Sequence, residues 1–354
     1  MKDPKILRVK DAMRMCRESG SGFFDRLERY TATVQTQIES SGAALYVMHQ
    51  GKPCFEWYAG THGSEPGSRN IDASSMFNVG SIRKTFYGLL VSHALQLGKI
   101  RDKDDPIGIY LNGLTDAVAR ITIRQLLTHT HGLRTDRKAM FPPGTDWHYN
   151  NTGVQLIVRL IRELYGLTVA EAAHTYVLEP YGFRDIGWHR CDSPSLVWND
   201  DAYAGIDGSE SNLFCSAREL ARWGQLHLDE GQAEGGGTPA GGGPSATAFK
   251  EAVGSITPSG LRDELPRNGF FWFVQDRPRT RSEIGDEVPA GAYQTLGITG
   301  CACLVIPELE AVAVRMYNQR GPNPEGYDYL NDIRTFGNIA VECLRKLGTS
   351  QAIV

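Results

Sequence analysis

Among the 354 residues, the side chains best placed for covalent chemistry lie in Phe77-Asn78-Val79-Gly80-Ser81-Ile82-Arg83-Lys84-Thr85. An extended apolar lead-in meets a Gly-Ser pair, and a long apolar run then extends from Phe86 to Leu97. This predicts a serine in the first turn of a buried helix. Lys84, three residues on, falls on the same helical face as Ser81. Unpaired backbone N–H groups and the positive dipole end at a helix N-terminus favour an oxyanion or a depressed pKa. Ser-x-x-Lys is therefore chemically sensible as a nucleophile with an amine base beside it. A serine N-cap with a solvated lysine nearby fits the same four positions, so the rest of the chain must decide.

Tyr149-Asn150-Asn151 matches Tyr-x-Asn, a pairing that can support the nucleophile with a phenol and orient a substrate amide. Tyr110-Leu111-Asn112 and Tyr329-Leu330-Asn331 match it too. Only Tyr149 follows a Pro-Pro-Gly turn (Phe141 to Gly144) and precedes an apolar helix, the kind of loop where functional groups gather. His129-Thr130-His131 invites a zinc reading, but a His-x-His-x-Asp-His hydrolase needs Asp where Leu133 stands, so packing and hydrogen bonding suit His129 better. No Gly-x-Ser-x-Gly elbow and no nucleotide-binding glycine fingerprint occur. Metal and cofactor are accordingly both expected to be absent.

The positioning elements follow from periodicity. Apolar residues at helical spacing (Phe24, Leu27, Tyr30, Val34, Ile38) predict an amphipathic helix from Gly22 to about Ser40. Gly42 to His49 and Cys54 to Ala59 read as a hairpin turning at Gln50-Gly51-Lys52. Thr122 to Gln125 and Ser216 to Glu219 are capping boxes opening helices. Val154 to Leu164 and Val169 to Leu178 read as helices, and Gly231 to Pro244 as a flexible glycine-rich loop. Strands return at Phe270 to Val274, Ala292 to Ile298, Cys301 to Ile306 and Ala311 to Tyr317, before a closing helix over Tyr329 to Leu347. Strands and a helix at both ends, with helices between, predict a composite α/β domain (1–100 and 255–354) and a mainly helical one (101–254).

A net charge of −4 argues against nucleic acid or an anionic membrane as partner. Seven scattered cysteines, without a C-x-x-C pair, fit a reduced compartment. No apolar leader or spanning segment stands out, so the expectation is a cytoplasmic protein acting on a small molecule, with oligomeric state open.

In order along the chain stand Phe77-Asn78-Val79-Gly80-Ser81-x-x-Lys84, Ile121 to Leu133 (ITIRQLLTHTHGL), Pro143-Gly144 and Tyr149-x-Asn151. Asn212 to Ala221 and Leu304 to Leu309 follow. Together they closely resemble the serine β-lactamase and penicillin-binding-protein superfamily, in its class C β-lactamase-like and esterase branch, from about Ala43 to Gln319. The resemblance implies an α+β, β-lactamase-like fold: an antiparallel sheet flanked by terminal helices, a largely helical domain, and a site at their interface. It also implies Ser81 as acylated nucleophile, Lys84 as proton acceptor, Tyr149 as proton relay to the leaving group and Asn151 as a substrate hydrogen-bonder.

The family's third motif, Lys-Thr-Gly or His-x-Gly, aligns with Thr295-Leu296-Gly297, where the cation is missing. Thr295, Gly297 and Ile298 are the substrate-binding residues this alignment implies: Gly297 keeps the close backbone approach, and the Ile298 N–H becomes the second oxyanion donor. An alternative alignment on Ile298-Thr299-Gly300 lacks a cation too. The resemblance thus points to a serine hydrolase of small esters or amides, ahead of a β-lactamase, a DD-peptidase or an acyltransferase. A non-catalytic ligand-binding member of the fold is the alternative of another class.

Overall fold

The computed structural model describes residues 22–136, 138–188, 194–197, 205–232 and 242–351. Its main feature is a seven-stranded antiparallel sheet in the order β2-β1-β10-β9-β8-β7-β6. The strands are β1 (Gly42–His49), β2 (Lys52–Gly60), β6 (Arg267–Asn268), β7 (Phe273–Val274), β8 (Tyr293–Leu296), β9 (Ala302–Ile306) and β10 (Ala311–Tyr317). A smaller sheet pairs β3 (Met76–Asn78) with β5 (Leu213–Ser216), and β5 with β4 (Ile186–Trp188).

The helices are α1 (Asp25–Gln37), α2 (Arg83–Gln96), α3 (Asp116–Ala119), α4 (Ile123–Leu127), α5 (Asn151–Tyr165), α6 (Val169–Ala173), α7 (Ala217–Leu228), α8 (Ala246–Val253) and α9 (Tyr329–Gln351). β1 shows how two layers share one sheet. Successive strand side chains point to opposite faces, so Leu45 and Val47 join the core made with Ile333, Phe336 and Ala340 of α9. Ala44, Tyr46 and Met48 face the larger core that holds α2, α5 and α7. Arg315 of β10 and Asp332 of α9 form a buried two-bond ion pair, Nη1–Oδ1 2.9 Å and Nη2–Oδ2 2.7 Å, fastening the closing helix to the sheet.

α2 is buried from Arg83 to Ala94. A helix enclosed on every side has no solvent face to serve, which explains the unbroken apolar run after Ser81. α5 opens with Asn150 as N-cap, whose Oδ1 accepts the Thr152 N–H at 2.9 Å. α4 opens with the expected reciprocal box of Thr122 and Gln125.

Four local expectations need correction. Phe270 to Val274 is no continuous strand: Phe271 has φ +66° and donates its N–H to Leu127 O at 3.2 Å, so the chain bends between β6 and β7. Ser216 caps α7, but the Glu219 carboxylate turns instead to Arg184 N–H and Arg222, leaving the box half made. The helix over Val169 to Leu178 is α-helical only to Ala173 and widens into a π turn over His174–Leu178. β8 stops at Leu296, so Gly297 and Ile298 lie beyond the strand. Of the glycine-rich loop, residues 233–241 lie outside the described residues. No described helix is long and apolar enough to cross a membrane.

Candidate active site

Ser81 sits in a 3₁₀ turn (Gly80–Ile82) that feeds directly into α2. The turn is built from hydrogen bonds on either side. Val79 donates its N–H to Leu213 O at 2.9 Å, and Asn78 Oδ1 accepts the Gly80 N–H at 2.9 Å. Gly80 then takes φ +51°, a conformation open to glycine without steric cost. The strand-to-helix corner leaves Ser81 half-buried beside the fully packed helix.

Lys84 is 2 % exposed, with Nζ 2.7 Å from Ser81 Oγ and also hydrogen-bonded to Tyr149 Oη. Burial, then the Arg83 charge, hold its pKa well below the ordinary lysine value. Both effects disfavour the ammonium form, and Lys84 forms no ion pair among the described residues. The amine is thus prepared to accept a proton from Ser81. Tyr149 is 37 % exposed as a residue, and its hydroxyl is enclosed at Lys84. That enclosure raises the phenol pKa, against the Ser81 hydrogen bond and Arg83, which lower it. Tyr149 is therefore a neutral phenol near pH 7, able to receive and pass on a proton.

The loop that delivers Tyr149 is held from the α4 side. His148 N–H donates to His129 O at 3.0 Å, and Gly144 N–H to Thr130 O at 2.8 Å. The buried His129 ring lies 4.5 Å from the Tyr149 ring and 5.5 Å from Phe271, centroid to centroid. Burial holds that imidazole well below the ordinary histidine value and keeps it neutral. His131 faces elsewhere: its Nδ1 accepts the Leu133 N–H at 3.0 Å, and its ring rests against Gly153 of α5. The capping amide here is Asn150, which also donates Nδ2 to Leu133 O at 2.6 Å. Asn151 is the exposed first residue of α5.

The other wall comes from the end of β8. Thr295 is buried in the strand opposite Cys303, whereas Gly297 lies against Val79, just before the Gly80–Ile82 turn. A Cβ on Gly297 would stand 2.3 Å from Val79 O, and one on Gly80 would stand 3.3 Å from Ile298 N. The Ile298 backbone is thus adjacent to the Gly80–Ser81 turn, while its side chain is 79 % exposed. Thr299 Oγ1 donates to Asn78 O at 2.6 Å, tying the loop to β3. Thr299 belongs to this brace, a role that the local sequence does not signal.

Two further residues escaped sequence reasoning. Arg83 is buried beside Lys84. Glu283, on the loop between β7 and β8, has its carboxyl pKa pushed up to about 8 by burial, leaves Oε2 without a hydrogen-bond partner, and raises the Tyr149 pKa. Neither position has a neighbouring pattern that marks it. A cleft of about 650 Å³ opens beside Tyr149, with Arg134, Met140, His148 and Asn150 in its wall. A slightly larger one, about 680 Å³, lies by Tyr181, Arg222 and Asp229; Ser81, Lys84 and Tyr149 line neither. No described group of three or more His, Cys, Asp or Glu side chains could hold a metal ion.

Comparison with known proteins is consistent along most of the chain. The Beta-lactamase family matches residues 27–334. An uncharacterized protein of Alkalihalophilus pseudofirmus is 36% identical over 335 residues, covering 92% of this chain and 97% of its own. Among solved structures, a class C β-lactamase in complex with cefoxitin superposes with TM-score 0.70 at 16% identity, covering 90% of this chain and 98% of that one. A hydrolase with promiscuous acyltransferase activity gives 0.66 at 17% identity, covering 89% and 98%. At these identities the two structures establish the β-lactamase-like α+β fold.

Proposed function

Since the chain belongs to the beta-lactamase family of serine hydrolases, we propose that it cleaves small-molecule esters or amides through an acyl-Ser81 intermediate. The observation that carries this is the buried Lys84 amine, 2.7 Å from Ser81 Oγ with its pKa well below the ordinary value.

In the proposed sequence the neutral Lys84 amine takes the Ser81 hydroxyl proton as Oγ bonds to the substrate carbonyl carbon. The carbonyl electron pair moves onto oxygen, and the oxyanion is received by the Ser81 and Ile298 N–H groups. Lys84 passes its proton through Tyr149 to the leaving alcohol or amine oxygen or nitrogen as the C–O or C–N bond breaks. Water then repeats the addition at the acyl carbon, giving its proton to the same amine–phenol pair, and the acid leaves with Ser81 restored. An alcohol or amine in place of water would give acyl transfer. Asn151 is proposed to meet the substrate at the mouth of the site, and Thr295 to support the oxyanion strand from within.

The third-motif segment favours esters and amides over β-lactams. Thr295 to Ile298 offers no cation for a substrate carboxylate and presents the exposed Ile298 side chain beside the nucleophile. The test is intact-protein mass spectrometry after a fluorophosphonate or p-nitrophenyl butyrate, with hydrolysis measured for wild type and Ser81→Ala. An adduct on Ser81 and loss of turnover in Ser81→Ala are expected. No adduct, together with unchanged esterase activity in Ser81→Ala, refutes the reading; no adduct and no turnover in wild type favours a ligand-binding protein.

A further inference from the structure

We propose that Arg83 is a positioning residue for this reaction: its guanidinium holds and polarises the Gly80–Ser81 peptide, whose N–H is the first oxyanion donor. The inference rests on the acyl-Ser81 reading. Although Arg83 directly precedes Lys84, its side chain turns back along the chain. Nη1 donates to Gly80 O at 3.1 Å, and the same carbonyl receives the Arg83 backbone N–H. Gly80 C=O and Ser81 N–H are the two ends of one planar trans peptide. Fixing the carbonyl from the helix side therefore aims the N–H away from it, toward the side where an oxyanion donor must point.

The preceding peptide is held independently, since Asn78 Oδ1 accepts the Gly80 N–H at 2.9 Å. Between these two anchors Gly80 is kept at φ +51°. Glycine is the residue least able to hold such a conformation unaided, so the direction of the donor depends on its anchors. A charged donor on the carbonyl also draws electron density from the amide and strengthens the N–H at its other end.

Burial gives the second argument. Arg83 is 4 % exposed, its Nε has no hydrogen-bond partner, and it forms no ion pair among the described residues. Its neighbour is Tyr87, whose ring lies 5.9 Å from the guanidinium carbon and whose hydroxyl also interacts with it. A buried cation that finds no counter-ion among the described residues is costly there, and packing alone would be better served by an apolar side chain of similar volume. A tetrahedral oxyanion on Ser81 is the species that gains from this charge. The same field disfavours the ammonium form of Lys84, which keeps the base ready.

The test reads the peptide itself. With glycine labelled at its carbonyl carbon and serine at its amide nitrogen, six Gly-Ser peptides report, ending at Ser21, Ser64, Ser68, Ser81, Ser209 and Ser255. Ser81→Ala deletes one cross-peak and so assigns it. In Arg83→Met, or in Arg83→Gln should Met not fold, the Ser81 amide proton is expected to move upfield while the other five peaks stay. Affinity for an aryl boronic acid, which forms a tetrahedral adduct with an oxyanion, should fall about 10- to 100-fold. KM for p-nitrophenyl butyrate should stay within about threefold, and Arg83→Lys should recover part of the boronate affinity. A Ser81 peak that stays in place in the folded variant overturns the proposal, as does a shifted peak with undiminished boronate affinity. Failure of the acyl-Ser81 reading is seen separately, as absence of fluorophosphonate labelling in wild type.

Discussion

Gly297→Ala tests the oxyanion wall with a single methyl group. The new Cβ would stand 2.3 Å from Val79 O, against about 3.4 Å or more for a relaxed carbon–oxygen contact. The two backbone segments must separate by about 1 Å, because the atom struck is a carbonyl oxygen and cannot rotate away as a side chain would. Val79 is fixed through its N–H to Leu213 O and through the β3 pairing. The movement therefore falls on Gly297 and Ile298, which lie past the end of β8. A donor displaced by about 1 Å from an oxyanion no longer bonds well, and loss of one such donor costs about 10²–10³ in kcat. The overpacking itself should cost about 1–3 kcal/mol of stability, little enough to leave a chain of this size folded at 25 °C. Steady-state hydrolysis of p-nitrophenyl butyrate, with a thermal melt of the same sample, provides the assay. A fall in kcat with KM nearly constant is expected, and Ile298→Ala, which keeps the N–H, should stay within a few-fold of wild type. A folded Gly297→Ala with kcat within threefold of wild type would refute the assignment of the Ile298 N–H as donor.

Two more predictions concern buried charge. Lys84→Met should remove the base and lower kcat by about 10²–10⁴, yet raise the melting temperature at pH 7. The lysine pKa is depressed on folding, so the unfolded chain binds more protons and wild type loses stability as pH falls from the ordinary lysine range through the lowered value. Equal or lower thermal stability of Lys84→Met would count against a depressed amine. Glu283 has the opposite sign, its pKa raised to about 8 on folding. Its protonated form favours the native state at low pH, and that benefit fades as pH rises from the unfolded carboxyl range through about 8, on the order of a few kcal/mol in all. Glu283→Gln should flatten that part of the stability–pH curve, measured by denaturant titration at pH 5, 7 and 8.5; an unchanged slope would place the carboxyl in water.

Much of the scaffold is legible in short windows because the forces that set it are local. Short, nearly unbroken apolar runs mark β1 and β10 over Gly42–His49 and Ala311–Tyr317, strands buried on both faces. The Thr122 box and the apolar run after Ser81 likewise need only neighbours three or four residues away. Expectation failed where a distant partner overrode the local pattern. Leu127 captures the Phe271 N–H and breaks an apolar run that looks like a strand, and Arg184 and Arg222 draw the Glu219 carboxylate from its cap.

The sequence by itself determined the family pattern: a serine at a strand-to-helix corner, a lysine one turn on, a tyrosine in a later loop and no cation in the third motif. Only the tertiary structure decided that Ser81, Lys84 and Tyr149 come together. Lys84 meets Tyr149 across 65 residues, and Thr299 meets Asn78 across 221. The same holds for the state of the lysine and for Arg83 and Glu283. Desolvation and the reach of a guanidinium depend on which remote segments close over a side chain, and no spacing along the chain encodes that.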